Sequence, residues 1–268
     1  MTGIFVRRIC TFVLIVLSLF WADRAEAGVL AERLAKFPQW ETKPPVQAVI
    51  GTEDLIYPDW MAGTWNVTST LVDLVAPLAP DIVTPGFENN RRYLNQPIAF
   101  TVRFPAVNQN NFTFTILNPK SQTPVVADRS FNGLNIAKAT LGDRAVLSVK
   151  TDPHNPNRQS TLLSGSLQLV SIVTSRASEI PNANEFISTE VSQQLFRAPT
   201  IGMRPYFNEV ETTTAYRKIE TSGASIEADQ VTAIYLSPQD PNYFVAADKP
   251  VALYRYRLEF FPASVPGA

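Results

Sequence analysis

Polar and apolar residues alternate along most of this chain. Ile98, Phe100, Val102 and Phe104 are separated by Ala99, Thr101 and Arg103, and Phe112, Phe114 and Ile116 by Thr113 and Thr115. Successive side chains of a β-strand point to opposite faces, so a period of two gives each run one apolar and one wetter face. The same pattern predicts strands over residues 64–75, 145–150, 166–176, 186–197, 206–221, 225–236 and 251–261, with a weaker one over 125–129. These runs are rich in Thr, Val, Ile, Phe and Tyr, which suit a pleated surface. Between them lie turn formers: Pro105, Asn118-Pro119, Asp152-Pro153, Asn155-Pro156, Ser222-Gly223 and the stretch 238–242. One internal helix is predicted over 132–141, closed by Gly142. Many strands, short links and few helices predict a mainly β protein with an antiparallel sheet, closed as a barrel or paired as a sandwich.

Residues 28–58 read as an N-terminal arm. A short helix fits residues 29–37, and Pro38, Pro44, Pro45 and Pro58 prevent a longer one. The first 27 residues follow a different rule. Arg7 and Arg8 precede an apolar run from Thr11 to Trp21, and Ala25-Glu26-Ala27 supplies a small-x-small cleavage pattern before Gly28. That is the layout of a secretory signal peptide, and the run is too short for a membrane-spanning helix. The expected organisation is therefore a signal peptide over 1–27, an arm over 28–58 and one domain over 59–263, with no transmembrane segment in the exported part.

Composition narrows the function classes. The chain has 23 basic and 24 acidic residues among 268, so it lacks the dense basic face of a nucleic-acid binder. The single cysteine, Cys10, lies in the leader, which excludes a disulfide framework in the exported part. One histidine and no cysteine cluster argue against a metal centre, and the glycine pattern offers no phosphate loop. No cofactor is expected.

Asp59-Trp60-Met61-Ala62-Gly63-Thr64-Trp65 leads into the first long strand. A Gly-x-Trp at that place resembles the signature of the lipocalins and the wider calycins. The resemblance implies a single antiparallel barrel of about 8–10 strands with one short helix. It also implies a barrel-end cluster in which Trp65, after Gly63, is covered by an arginine of the last strand, Arg255 or Arg257. Further strings, among them Pro85-Gly86-Phe87, Asn90-Arg91-Arg92-Tyr93, Phe131-Asn132-Gly133-Leu134 and the runs 210–216 and 228–236, resemble an uncharacterised family of cyanobacteria and plant chloroplasts. That resemblance implies a photosynthetic host and a thylakoid-lumen or periplasmic location, and no activity.

A barrel of this size holds a small ligand cavity. Phe100, Phe104, Phe112 and Phe114 are the candidate apolar lining. The long apolar, Pro-rich segment 71–97, with Leu78 and Phe87, reads either as a lid over the mouth or as a satellite core outside it. Catalytic candidates are sparse. His154 sits in a polar turn without a partner nucleophile, and Glu209 and Glu211 share a strand face, where they form a like-charge pair or lie solvated on the outside. Arg91 and Arg92 are an anion-binding candidate or a solvated pair. Three readings remain open: a carrier of a small hydrophobic ligand (a pigment, lipid or quinone), an assembly or interaction factor for a membrane-complex subunit, and a lipocalin-type enzyme acting on a lipophilic substrate.

Overall fold

The computed structural model describes residues 28–84, 86–107, 123–198, 205–220 and 223–263. The signal-peptide expectation and the expected strand over 112–116, with Phe112 and Phe114, lie outside the described residues. The arm carries helix α1 (Val29–Ala35) and the two-residue strand β1 (Gln47–Ala48). Strands β2 (Gly63–Val75) and β3 (Pro97–Phe104) are separated by a connection holding the short helix α2 (Phe87–Asn90). Helix α3 (Arg129–Leu141) follows, and then β4 (Val146–Asp152), β5 (Asn155–Leu163), β6 (Gln168–Asn182), β7 (Glu185–Arg197), β8 (Tyr206–Lys218) and β9 (Ile226–Leu236). The short helix α4 (Tyr243–Ala246) precedes β10 (Ala252–Pro262).

The strands form one antiparallel sheet in the order β3-β2-β10-β9-β8-β7-β6-β5-β4, with β1 paired to β6. The sheet is strongly curled. The Tyr57 ring lies 4.8 Å from Phe104 on β3 and 5.6 Å from Phe186 on β7. Those strands are five places apart in the order, which in a flat sheet is a separation of roughly 24 Å. One side chain touches both only because the face carrying Phe104 and Phe186 is concave.

The sheet does not close by hydrogen bonds among the described residues, since β3 and β4 are its two unpaired ends. This corrects the expectation of a fully closed barrel. Helix α3 stands in the slot instead. Asn132 accepts the Arg103 N–H at 2.8 Å and donates to the Arg103 carbonyl at 3.1 Å, serving the free edge of β3. Ser130 Oγ accepts the Thr151 N–H at 2.9 Å on the free edge of β4. Side chains on one helix thus satisfy backbone groups that a paired strand would otherwise take, which protects both edges. The helix fits closely: a Cβ on Gly133 would stand 2.7 Å from Gln159 Nε2 and 3.1 Å from Val149.

Local chemistry explains where the elements begin and end. The Asp128 carboxylate accepts the Phe131 N–H at 3.0 Å and so caps α3, which starts at Arg129. That cap overrides the weak strand expected over 125–129, where Val125 makes only isolated bridges to Tyr57 and Ala106. At the other end Gly142 takes a φ of 92°, where a glycine is least strained. Strand β5 was hidden because its polar run Asn157–Thr161 lacks apolar alternation and Asn155-Pro156 reads as a turn; its register comes from pairing with β4 and β6.

The arm lies on the convex face. Leu30, Leu34 and Trp40 are buried there against Ile187, Val231, Ala233 and Leu253. At the centre is a buried ion pair. Arg33 donates to both Glu211 oxygens, each at 2.7 Å, and Glu211 has no exposed surface. Tyr235 Oη at 2.7 Å, Thr213 Oγ1 at 2.8 Å and Trp40 Nε1 at 3.2 Å also donate to this carboxylate. The Arg33 guanidinium stacks 4.2 Å from the Trp40 ring centre. Five donors compensate the desolvated carboxylate, so the pair ties the arm to β8 and β9.

Removing one partner strands a buried charge. Arg33→Ala is expected to lower stability by about 3–5 kcal/mol in denaturant unfolding, whereas the double replacement Arg33→Met with Glu211→Leu loses markedly less.

Candidate functional site

The concave face is built in layers that follow from strand register. Its floor is aromatic. Trp65, Met61, Phe104, Phe260 and Ile226 form one buried cluster, with Tyr57 and Tyr216 packed on it. Trp65 Nε1 donates to the Met61 carbonyl at 2.9 Å, across the tight turn Asp59–Met61 that precedes β2. Gly63 between them takes a φ of 122°, a conformation other residues adopt only with strain.

Above the floor two polar layers cross the sheet. Ser188, Thr214, Gln230 and Tyr256 are cross-strand neighbours from β7 to β10, and Glu190, Thr212, Thr232 and Tyr254 are the next set. Higher still, Ser192, Val210, Ile234 and Ala252 are in register and mostly apolar again. Gln230, Thr232, Thr212, Tyr254 and Tyr256 are only half-buried although they face the inside of a curled sheet. These side chains keep part of their surface exposed between the buried aromatic cluster and the mostly apolar upper layer.

A charged cluster forms one wall. Arg129, at the start of α3, reaches across the lumen to Glu190 at 2.8 Å and to Asp54 of the arm at 2.6 Å. Arg176 on β6 pairs with the same Glu190 at 3.0 Å, donates to the Glu53 carbonyl at 2.7 Å and contacts Asn157. Burial opposes charge on Arg129, but the two carboxylates outweigh it and hold the guanidinium above its ordinary pKa. The wall is thus balanced in formal charge, two guanidinium groups against two carboxylates. The neighbouring phenols stay neutral: burial pushes Tyr216 and Tyr256 up to about 12, and Tyr57 well above its usual value. The polar layers and the wall place hydroxyl, amide and guanidinium groups along this face. Among the described residues no three His, Cys, Asp or Glu side chains gather as a metal site.

The residues expected from sequence are distributed around this lumen. Phe104 is floor, and Phe100 is half-buried against the same cluster. Phe87 is buried on Leu74 and Ala252, its ring 5.8 Å from Tyr254, beside the upper layer. Leu78 packs with Ile82, Leu236 and Val251 beside it. The connection between β2 and β3 thus packs on the sheet in two places, through Phe87 and through Leu78. Gly63 and Trp65 lie together as expected, but Arg255 and Arg257 do not join them. Strand alternation puts both arginines on the opposite face from Leu258 and Phe260. Arg255 is held by Asp229 at 2.6 Å and stacks 5.3 Å from Phe37. Glu209 and Glu211 share the convex face without forming a like-charge pair, because Lys43 meets Glu209 at 2.8 Å and Arg33 meets Glu211. His154 is exposed in the β4–β5 turn, and Arg91 is paired to Glu88 on the surface.

Sequence reasoning missed the polar layers and the charged wall. A signal for the layers was present: the face of β7, β8 and β9 that begins with Phe186, Tyr216 and Ala228 continues with Ser188, Thr214 and Gln230. An apolar face interrupted by polar residues at the same depth on three strands marks a lined cavity. Arg129 and Asp54 gave no such signal, since they come from a helix and an arm.

A second concavity of about 590 Å³ lies on the convex face beneath α1, floored by Ala31, Leu34, Ile187 and Ala215 and rimmed by charged side chains. It is half-open, and its Arg255 and Arg217 are engaged by Asp229 and Glu227.

Fold and lumen together define a mainly β protein with a single antiparallel sheet curled around a polar-lined interior. The family model of a domain of unknown function, DUF6816, matches residues 49–264, and the chain belongs to that family. No curated protein and no solved structure matches it.

The buried phenols make alkaline stability a readout of the lumen. In the unfolded chain they ionise near pH 10, and Tyr216 and Tyr256 do so only near 12 when folded. Between those values the folded state binds more protons, so stability is complete below pH 10 and falls as pH rises from 10 to 12. Thermal melts across that window are expected to show the fall, and Tyr216→Phe is expected to make it shallower.

Proposed function

We propose that this protein is an exported, non-enzymatic, lipocalin-like carrier that holds one small lipophilic molecule with hydrogen-bonding oxygens, of the pigment, lipid or quinone class, in the lumen. The observation that carries the reading is the half-buried polar middle of a concave face, with Trp65 buried at one end and Phe87 buried beside the other. A pocket with an apolar frame and a few placed polar groups fits a ligand with a greasy body and an oxygen-bearing end. Gln230, Thr212, Thr232 and Tyr256 are the groups that meet those oxygens, and Phe100 and Phe87 meet the apolar part. The lipocalin likeness is supported by the tight turn before the first long strand, the Gly63-x-Trp65 start, the inward Trp65 and the curl of the sheet. Export is supported by the Arg7-Arg8 start, the apolar run and the Ala25-Glu26-Ala27 pattern. A periplasmic or thylakoid-lumen destination accords with both.

The test is to purify the protein from its host and combine native mass spectrometry with organic extraction. A stoichiometric small molecule is the expected result. Thr232→Phe, which fills the middle of the lumen, is expected to lower occupancy at least tenfold with the circular dichroism spectrum retained. Phe87→Ala is expected to release the ligand about tenfold faster. A chain that emerges empty, and takes up none of a panel of quinones and lipids, overturns the reading.

A further inference from the structure

The carboxylate of Glu179, on the convex side of β6, is half served. Its Oε1 accepts the Leu30 N–H at 2.9 Å. Its Oε2 is buried without any hydrogen-bond partner. An unpaired buried carboxylate oxygen is among the costlier defects a fold can carry, and native structures rarely keep one without a reason. Its neighbour is Gly28. A Cβ on Gly28 would collide with that same oxygen and stand 2.6 Å from the Glu179 carboxyl carbon. The α-carbon of Gly28 thus lies close against the vacant acceptor. The Gly28 nitrogen is one bond from that carbon, no more than about 5 Å from Oε2. Nothing further along the arm needs to move to bring the two together. The Gly28 carbonyl already accepts the Glu32 N–H at 3.0 Å, and the arm is pinned by Leu30, Leu34 and the Arg33–Glu211 pair.

Gly28 is also the residue that follows Ala25-Glu26-Ala27. We infer that Glu179 is the receptor for a new chain terminus: cleavage between Ala27 and Gly28 creates an α-ammonium that pairs with Glu179 Oε2 and locks the arm onto the sheet. This rests on the export part of the reading above and is independent of the lumen. Water adds across the Ala27–Gly28 peptide bond under an export endopeptidase. The C–N bond breaks, Ala27 leaves with a carboxylate, and Gly28 keeps the nitrogen as an ammonium. Three N–H donors and a full positive charge replace a single amide donor beside an acceptor that lacked one. An uncleaved chain carries no charge at this position, so the lock forms only after processing. The fold therefore senses its own maturation, through one carboxylate on a neighbouring strand.

The experiment uses the processed protein purified from an exporting host. Terminal sequencing is expected to read Gly28. Glu179→Gln keeps an acceptor for the Leu30 N–H and removes the charge. It is expected to speed acylation of the Gly28 α-amine at neutral pH at least tenfold, read by mass spectrometry, and to lower the melting temperature by about 3 °C or more. A second variant, with the cleavage site displaced so that Ala27 remains, moves the ammonium one residue away. It is expected to melt as low as Glu179→Gln, and adding Glu179→Gln to it is expected to change nothing further. A start at Gly28 with equal labelling in both proteins, or with additive effects of the two changes, overturns the lock and leaves export standing. An intact start at Met1, or a cut elsewhere, overturns export and the lock together.

Discussion

Helix α3 stands where a strand pair would have to form for this sheet to close, and much else follows from that placement. The sheet curls until β3 and β4 face each other across a slot, but the two edges meet side chains of the helix and not one another. Edges left bare would expose two rows of backbone donors and acceptors, so the slot has to be filled by something polar on both flanks. Asn132 and Ser130 supply that from opposite sides of the first turn of the helix. The same placement delivers Arg129 into the lumen, where it meets Glu190 from the far side of the curl. Filling the slot and building the charged wall are thus one structural event.

The two faces of the sheet solve opposite problems. The convex face would expose Ile187, Val231, Ala233 and Leu253, and the arm covers them, tied down by a buried carboxylate with its full set of donors. The concave face is apolar at both ends and polar in the middle. A core built only for stability would continue the apolar layers through, since every buried hydroxyl or amide needs a partner to offset its desolvation. Thr212, Gln230, Thr232 and Tyr256 instead stay half-buried inside, the feature on which the carrier proposal rests.

The arm shows how a segment with little secondary structure can organise a fold. Arg33 reaches β8, Lys43 reaches Glu209, Asp54 reaches the lumen wall and Tyr57 becomes part of the floor. It passes from the outside of the sheet to its closed end, and its residues contact both faces. Gly28 at its start and Glu179 beneath it extend the same logic to the first described residue.

Much of the architecture was legible in the chain. The two-residue period located β2, β3, β7, β9 and β10 to within a residue or two at nearly every end, because alternation is imposed locally by the pleat and one face must be buried. The helix ending at Gly142 was legible for a similar local reason. Strand β5, the partners of Arg255 and the lumen wall were not. A polar strand shows no period, and the partners of Arg255 are Asp229 on β9 and Phe37 on the arm, which local pattern does not connect. The wall joins Asp54, Arg129, Arg176 and Glu190, four residues from an arm, a helix and two strands. Sequence alone settles which side chains alternate. Which distant charges meet inside the curl depends on how far the sheet bends and what fills its slot, and those are decided only when all the strands pack at once.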